Sequence, residues 1–526
     1  MQFRFLHIIS ACLFSACLAT YTSATPYLPL AQKCDGYPQL PLGTADSLCV
    51  GLLAQKSATV GFKMPRTSVE MPDGKLLVAD MGGWAEKKGK LWLVDYRAKN
   101  VTAAAVLSNL NFPHKILRGS DGKYYLGEAH RIIRFDINKG VVVQQETVID
   151  GLPYHDDYLH PLKNFVFDNN NNLIVNIGST SDRCDKTVSI TDCSRGVEAG
   201  LRQYNFEKTA NSWSKNFTVI ASGLRNSMAL AVDTSGTILQ AENSIDLPGA
   251  EEPYEEINII ESAGFYGWPL CYDRNASVDE TKSGCSEKNY REPWTLMPPH
   301  VAPLDALYYH HTKLPMLNNK LLMTWHGYKI VGHRLVAFDV DAQGRPIRSN
   351  NATYSSDPLK AGDGIKSNQF SAKGGTGLVA QHSEIISRWN EIAGVRPKGG
   401  PTGMSVMNDG SLLIVDDKNA AILRLSTGTA YSDTQPQREV KTIALELPKN
   451  IRAVFVNRCS KCHEQLQNNA DQLLNPTHWL QKTNGKTRLE QKLFEDKVMP
   501  MPPDKSILPD ELKALKAWIN NLDRPH

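Results

Sequence analysis

Beyond its first two dozen residues this 526-residue chain has no long apolar run. No later stretch reaches the roughly 18 apolar residues that a membrane-spanning helix needs. Charge of one sign is also missing. Lys and Arg number 58 against 55 Asp and Glu, a net charge of +3. That surplus is too small for a nucleic acid or other polyanion to be the expected partner. Cysteine is sparse, with ten in all, and none lies between Cys285 and Cys459. The gap removes the further thiols that a structural zinc site would need around the last pair.

That last pair belongs to Cys459-Ser460-Lys461-Cys462-His463, the C-x-x-C-H signature of c-type haem attachment. Cys459 and Cys462 are expected to bond the haem vinyl groups, and His463 to ligate the iron. A low-spin haem takes a second axial ligand, usually a methionine thioether. Val498-Met499-Pro500-Met501-Pro502-Pro503 offers two. Met501, next to the Pro-Pro step, is preferred, with Met499 as the alternative. Leu512, Leu515, Trp518, Ile519 and Leu522 then recur at helical spacing. This order of haem motif, Met-Pro-Pro loop and closing helix resembles class I cytochrome c domains over about residues 445–526. It implies a small all-α tail that carries electrons.

Residues 1–24 carry Arg4 and His7, an apolar run from Ile8 to Ala19, and Thr22-Ser23-Ala24. This is the pattern of a cleaved secretory signal peptide. A lipoprotein alternative rests on Phe14-Ser15-Ala16-Cys17, a poor lipobox. Either way the mature chain is expected in the periplasm, where disulfides persist. Six remaining cysteines fall into local pairs, and their spacing favours Cys34–Cys49, Cys184–Cys193 and Cys271–Cys285.

Between signal and tail the dominant feature is repetition. Asp73-Gly74, Asp121-Gly122, Asn170-Asn171-Asn172, Ser235-Gly236, Asn319-Lys320 and Asp409-Gly410 each precede an apolar, β-prone run. Several are followed by a second such run, as at Leu91–Asp95, Ile132–Asp136, Leu335–Asp339 and Ile422–Leu425. Six units predict a mainly β fold, a six-bladed β-propeller, with a pair of β-sandwiches as the alternative. The expected organisation is a signal at 1–24, propeller at 25–430, polar linker at 431–449 and cytochrome domain at 450–526.

Within the repeats, Leu159-His160-Pro161-Leu162-Lys163-Asn164 runs toward Asn176-Ile177-Gly178. Gly223-Leu224-Arg225-Asn226, Glu242-Asn243-Ser244-Ile245-Asp246, Glu256-Ile257-Asn258 and Tyr266-Gly267-Trp268-Pro269 follow. In this order they resemble the glucose/sorbosone dehydrogenase family of PQQ-dependent sugar dehydrogenases, over roughly residues 60–425. The resemblance implies His160 as the general base that takes a substrate hydroxyl proton. It implies Arg225 and Asn226 beside the quinone, with Arg225 countering developing oxyanion charge. It also implies Ca2+, held largely by backbone carbonyls at Ser244 and Ile245. Here the chain departs from the family's usual Gly-Pro. PQQ bears three carboxylates, for which Lys329, Arg334, Arg396 and Lys398 are the candidate cations. His114 also faces the channel on this reading. Tyr266 and Trp268 read as blade packing rather than a sugar platform.

The implied activity is oxidation of a sugar (an aldose or sorbosone-like compound) or a related alcohol or aldehyde. Electrons would pass to haem c and on to a downstream cytochrome or terminal oxidase. Two other readings stay open: a calcium-dependent lactonase-like propeller, and a non-catalytic binding propeller that carries an electron-transfer cytochrome.

Overall fold

The computed structural model describes residues 27–155, 158–184, 198–247, 252–279, 283–327, 332–349, 353–355, 364–366, 379–386, 389, 399–431, 447–460, 482–483, 486–494 and 507–521. Its architecture is a six-bladed β-propeller. Blade 1 is built from Pro65–Glu70, Leu76–Asp80, Gly89–Asp95 and Thr102–Leu110. Blade 2 follows with Ile116–Arg118, Tyr124–Gly127, Ile132–Asn138 and Val141–Ile149. Blade 3 uses Phe165–Phe167, Leu173–Ile177, Gly200–Glu207 and Ser212–Ser222, and gains a parallel fifth strand at Gly264–Phe265. Blade 4 comprises Ala229–Val232, Ile238–Glu242, Glu255–Ile259 and Thr295–Met297. Blade 5 comprises Pro303–Tyr309, Lys320–Trp325, Arg334–Asp339 and His382–Ile386. Blade 6 takes Pro401–Val406, Leu412–Asp416 and Ala421–Thr427 from the end of the propeller, and its outer strand, Leu48–Gln55, from the beginning.

All six turn signals precede the second strand of a blade. These strands lie between two neighbouring blades and are buried on both faces, so they read as continuous apolar runs. Side chains alternate along a strand, so each such strand feeds two cores. Leu76 and Val78 pack toward blade 6, while Leu77 and Ala79 pack toward blade 2. Leu412 and Ile414 face blade 5, and Leu413 and Val415 face blade 1. The preceding turns need their glycine. Gly74, Gly122 and Gly410 sit at φ of 82°, 81° and 87°, a region that side-chain-bearing residues avoid. Asp73 and Asp121 cap the turns by accepting the amide N–H two residues on.

Across the channel, Lys115 of blade 2 meets Asp305 of blade 5 at 2.6 Å, with side-chain exposures of 10% and 1%. The other oxygen of Asp305 accepts the Met404 N–H of blade 6 at 2.8 Å. One carboxylate therefore joins three blades. Disulfides Cys34–Cys49 and Cys271–Cys285 form as expected. Cys184 is disulfide-bonded too, and Cys193 lies outside the described residues, as does the expected signal peptide.

In the tail, Lys449–Val454, Phe455–Cys459, Arg488–Phe494 and Pro509–Asn521 are helical, with a two-stranded ladder of Lys482–Thr483 and Lys486–Thr487. Leu447, Ile451, Val454, Phe455, Leu489, Leu515 and Ile519 make a core of their own. Arg458 clamps Glu511 through Nε and Nη2, at 3.0–3.2 Å.

Removing one member of a buried pair strands its partner's charge. Asp305→Ala is therefore expected to cost about 3–5 kcal/mol in a urea unfolding titration, with part recovered by adding Lys115→Met. A loss below about 1 kcal/mol would show that the cross-channel pair contributes little.

Candidate functional site

In an antiparallel blade the start of the first strand and the turn from second to third strand lie at the same end, and so at one end of the channel. His160 lies in the loop that enters the first strand of blade 3. Its Nδ1 is 3.0 Å from the Ser179 carbonyl and 2.9 Å from Ser179 Oγ. Ser179 Oγ gives its own proton to the Ser181 carbonyl at 2.6 Å, and a carbonyl only accepts. Nδ1 therefore carries the ring proton, and Nε2 is left as a bare lone pair. Burial, followed by the nearby Arg225 guanidinium, holds His160 well below the usual histidine range. The ring is a neutral base at pH 7. Gly178 makes room for it, since a Cβ there would lie 2.5 Å from the His160 Cβ.

Arg225 is fixed to the same element. Its carbonyl accepts the Ser179 N–H at 2.7 Å. Its guanidinium is buried, bonds the Asn243 carbonyl at 2.9 Å and pairs with Asp182 at 2.8 Å and Asp246 at 3.5 Å. Asn226 gives its N–H to Glu242 at 2.6 Å, while its side-chain Oδ1 is buried without a partner among the described residues. Glu255 accepts the Ser244 N–H at 2.6 Å and so pins the 243–247 loop. Burial pushes Glu242 up to about 7 and Glu255 up to about 8. Tyr266 bonds the Ile259 carbonyl and Trp268 the Asp182 carbonyl, each at 2.8 Å, and both side chains are buried packing groups.

A second polar cluster sits where the ring closes. Arg66 of blade 1 pairs with Asp417 of blade 6 at 2.6 Å, and His326 of blade 5 meets the other Asp417 oxygen at 2.9 Å. Lys418 bonds the His326 carbonyl at 3.3 Å. Burial raises Asp417, but His326, Arg66 and Lys418 outweigh it and hold the carboxyl below the usual range. Arg66 Nε donates to His114 Nδ1 at 3.2 Å. The proton of His114 therefore sits on Nε2, which is buried and without a partner among the described residues.

The structure thus brings His160, Arg225 and Asn226 together and places His114 at the closure cluster. Arg334 stands apart: it is buried in blade 5, with Nε 3.2 Å from Glu384. Lys329, Arg396, Lys398, Cys462, His463, Met499 and Met501 lie outside the described residues. Sequence reasoning missed Arg66, Asp417 and Lys418, which come from opposite ends of the propeller and share no local pattern. It also missed the role of Lys163. Buried between Tyr158 and the Pro161 carbonyl, Lys163 bonds that carbonyl at 3.1 Å and sits 5.2 Å above the Tyr158 ring.

Residues 120–357 match the family model described as Glucose / Sorbosone dehydrogenase. No match was found among curated proteins. Among solved structures, the chain is similar to the pyranose dehydrogenase PQQ domain from Coprinopsis cinerea in its holo form. Identity is 18% over 75% of this chain and 99% of that one, with a TM-score of 0.53. It is also similar to a Trichoderma reesei carbohydrate-active enzyme of family AA12, solved with calcium, at 18% identity over 74% and 98% of the two chains and a TM-score of 0.51. At this identity the structural likenesses establish the shared propeller fold.

Lys163 gives this site a measurable pH signature. Burial, then Arg202, brings its ammonium down from 10.5 to about 7. Between those values the unfolded chain holds a proton that the folded chain has released, so stability rises with pH. Lys163→Met is expected to flatten that rise in melting temperature between pH 7 and 10 and to be more stable than the parent below pH 7. An unchanged slope would contradict the assignment.

Proposed function

We propose that the chain is a periplasmic quinohaemoprotein dehydrogenase. Its propeller oxidises a sugar, or a related alcohol or aldehyde, with PQQ. Its tail carries covalent haem c and passes electrons to a cytochrome or terminal oxidase. The observation that carries this reading is His160: a neutral imidazole with its Nδ1 proton committed to Ser179 and its Nε2 open, beside the Arg225 guanidinium. The match of residues 120–357 to the Glucose / Sorbosone dehydrogenase family supports it, as do the PQQ and calcium named for the structural relatives.

The residues present fit these groups. The buried Nε2–H of His114 and the Oδ1 of Asn226 lack partners among the described residues, as polar atoms meant for a bound molecule do. Arg66, Lys418 and Arg225 supply cations suited to carboxylates. The carbonyls of Ser244 and Ile245 would hold calcium, with Asp246 adjacent. They are oxygen donors of the kind a hard cation takes, on a loop fixed by Glu255. When bound, PQQ supplies a quinone that takes up two electrons and calcium polarises its carbonyl. The chain's own residues do the rest. His160 Nε2 takes the proton of the substrate hydroxyl. Ser179 holds the ring in the tautomer that permits this. Arg225, braced by Asp182, faces the oxygen where negative charge develops. Asp305 and Lys115 pair across the channel.

In the tail, Cys459 and Cys462 would bond haem, with His463 and Met501, or Met499, on the iron. Cys459 ends the Phe455–Cys459 turn and packs against the tail core beside Phe455 and Trp518, an apolar setting suited to a haem edge. The proposed organisation keeps a signal peptide at 1–24, the propeller at 25–430, a linker at 431–449 and the haem domain at 450–526.

The test is reconstitution of the full chain with PQQ and calcium, followed by aldose addition while the haem α-band is watched. Reduction is expected, with loss of at least about a hundredfold in rate in His160→Ala. The group acts as a base that burial keeps deprotonated, so kcat/KM is expected to stay flat on the acid side to below pH 6.5. An acid limb above 6.5, or full turnover in His160→Ala, would overturn the base assignment. Metal-dependent lactone hydrolysis without PQQ would favour the lactonase-like reading instead.

A further inference from the structure

Lys163 is a costly side chain that the proposed chemistry leaves without a task. It is fully buried, three residues past His160. Its hydrogen bond runs 3.1 Å to the Pro161 carbonyl, and its nitrogen lies 5.2 Å from the centre of the Tyr158 ring. Among the described residues it meets no carboxylate. The charged group that acts on it is a second cation, Arg202. A buried cation without a counter-charge is among the most expensive groups a fold can hold. Lys163→Met is expected to be the more stable chain below pH 7, so stability does not account for the lysine. A buried, perturbed lysine beside a base points to a task at the site.

The backbone around His160 shows what that task is. Pro161 directly follows the base and is buried. Proline has no N–H, so its carbonyl is its one backbone tie. Among the described residues that carbonyl accepts from Lys163 alone. The next carbonyl, of Leu162, accepts from Asn176 at 3.3 Å, and Asn164 gives its N–H to Asn176 at 2.6 Å. Ahead of the base, Tyr158 gives its hydroxyl proton to the Gly178 carbonyl at 2.7 Å. The Leu159 N–H goes to the Thr180 carbonyl at 3.2 Å, and the His160 N–H to the Ser179 carbonyl at 3.3 Å. The loop is thus fastened to residues 178–180 up to the imidazole, and to Lys163 just past it.

The same ammonium acts on the imidazole through space. Burial and then Arg225 depress His160, the bond to Ser179 opposes them, and Lys163 adds to the depression. Carboxylates nearby are occupied: Asp182 pairs with Arg225 at 2.8 Å, and Glu198 accepts the Thr180 N–H. Lys163 titrates near 7 and His160 well below 6.5, so the lysine is charged before the imidazole begins to protonate. We propose that Lys163 is a positioning residue for His160: it anchors the residue after the base and, as a cation, keeps the imidazole deprotonated into acid. The effect on turnover rests on the dehydrogenase reading; the effect on His160 does not.

The test begins on the full chain without cofactor, labelled with carbon-13 at the histidine Cε1. The His160 signal is identified by its loss in His160→Ala and followed by NMR from about pH 8 to about pH 4. Its midpoint is expected about half to one pH unit higher in Lys163→Met, where the cation is gone, than in the parent. Lys163→Arg keeps both charge and donor and is expected to titrate with the parent. Lys163→Gln keeps a donor without the charge and is expected to show the same rise, which covers a failure of Lys163→Met to fold. A midpoint unmoved in both neutral variants would overturn the proposal. In chain loaded with PQQ and calcium, Lys163→Met is expected to lower kcat for aldose about tenfold at neutral pH, with KM within about twofold. The acid limb of kcat/KM is expected to rise with the His160 midpoint, which a merely structural lysine would not move. A parent without turnover, with the midpoint shifted as expected, would sink the dehydrogenase and keep the role of Lys163. Turnover in the parent, with kcat and acid limb unchanged in Lys163→Met, would do the reverse.

Discussion

A propeller exists only if its ring closes. Here Leu48–Gln55 pairs with Ala421–Thr427, so that the last blade is completed by an early strand that itself carries Cys49, disulfide-bonded to Cys34. Each blade buries its second strand against both neighbours, so an open ring would expose two such faces at once. The seam is reinforced by polar groups from three blades, Arg66, Asp417 and His326, and by Asp305, which reaches across the channel to Lys115. These buried charges are costly to desolvate and hold only because each meets its partner. They fix where the loops of the mouth stand, and the site inherits its geometry from them.

The mouth then divides into parts with different tasks. One side carries the neutral base His160, whose tautomer is set by Ser179, and the braced cation Arg225. The closure side carries Arg66, Lys418 and the unpartnered His114 donor. On the proposed reading, a base on one side and cations on the other would suit an anionic quinone and hydride removal from a hydroxyl-bearing carbon.

Much of the fold was legible because its signals are local. Every predicted turn, from Asp73-Gly74 to Asp409-Gly410, leads into the second strand of a blade, where turn chemistry and burial act on adjacent residues. The Cys34–Cys49 and Cys271–Cys285 pairings were legible from spacing alone. The resemblance that singles out His160, Arg225 and Asn226 rests on short local segments, and the structure places these residues near one another. The rest was not legible, because it depends on closure. Asp417 meets Arg66 across nearly the whole propeller, and Asp182 reaches Arg225 from a different blade loop. Arg334 looked like a free cation, yet it turns inward to Glu384.

The central claim is that this mouth is built to hold PQQ. Equilibrium titration of the calcium-loaded full chain with PQQ, followed by quenching of protein fluorescence and by calorimetry, tests it most directly. The account predicts saturation at one PQQ per chain, with affinity weakened in Arg66→Ala and His114→Ala. No saturable uptake, or uptake indifferent to both substitutions, would contradict it.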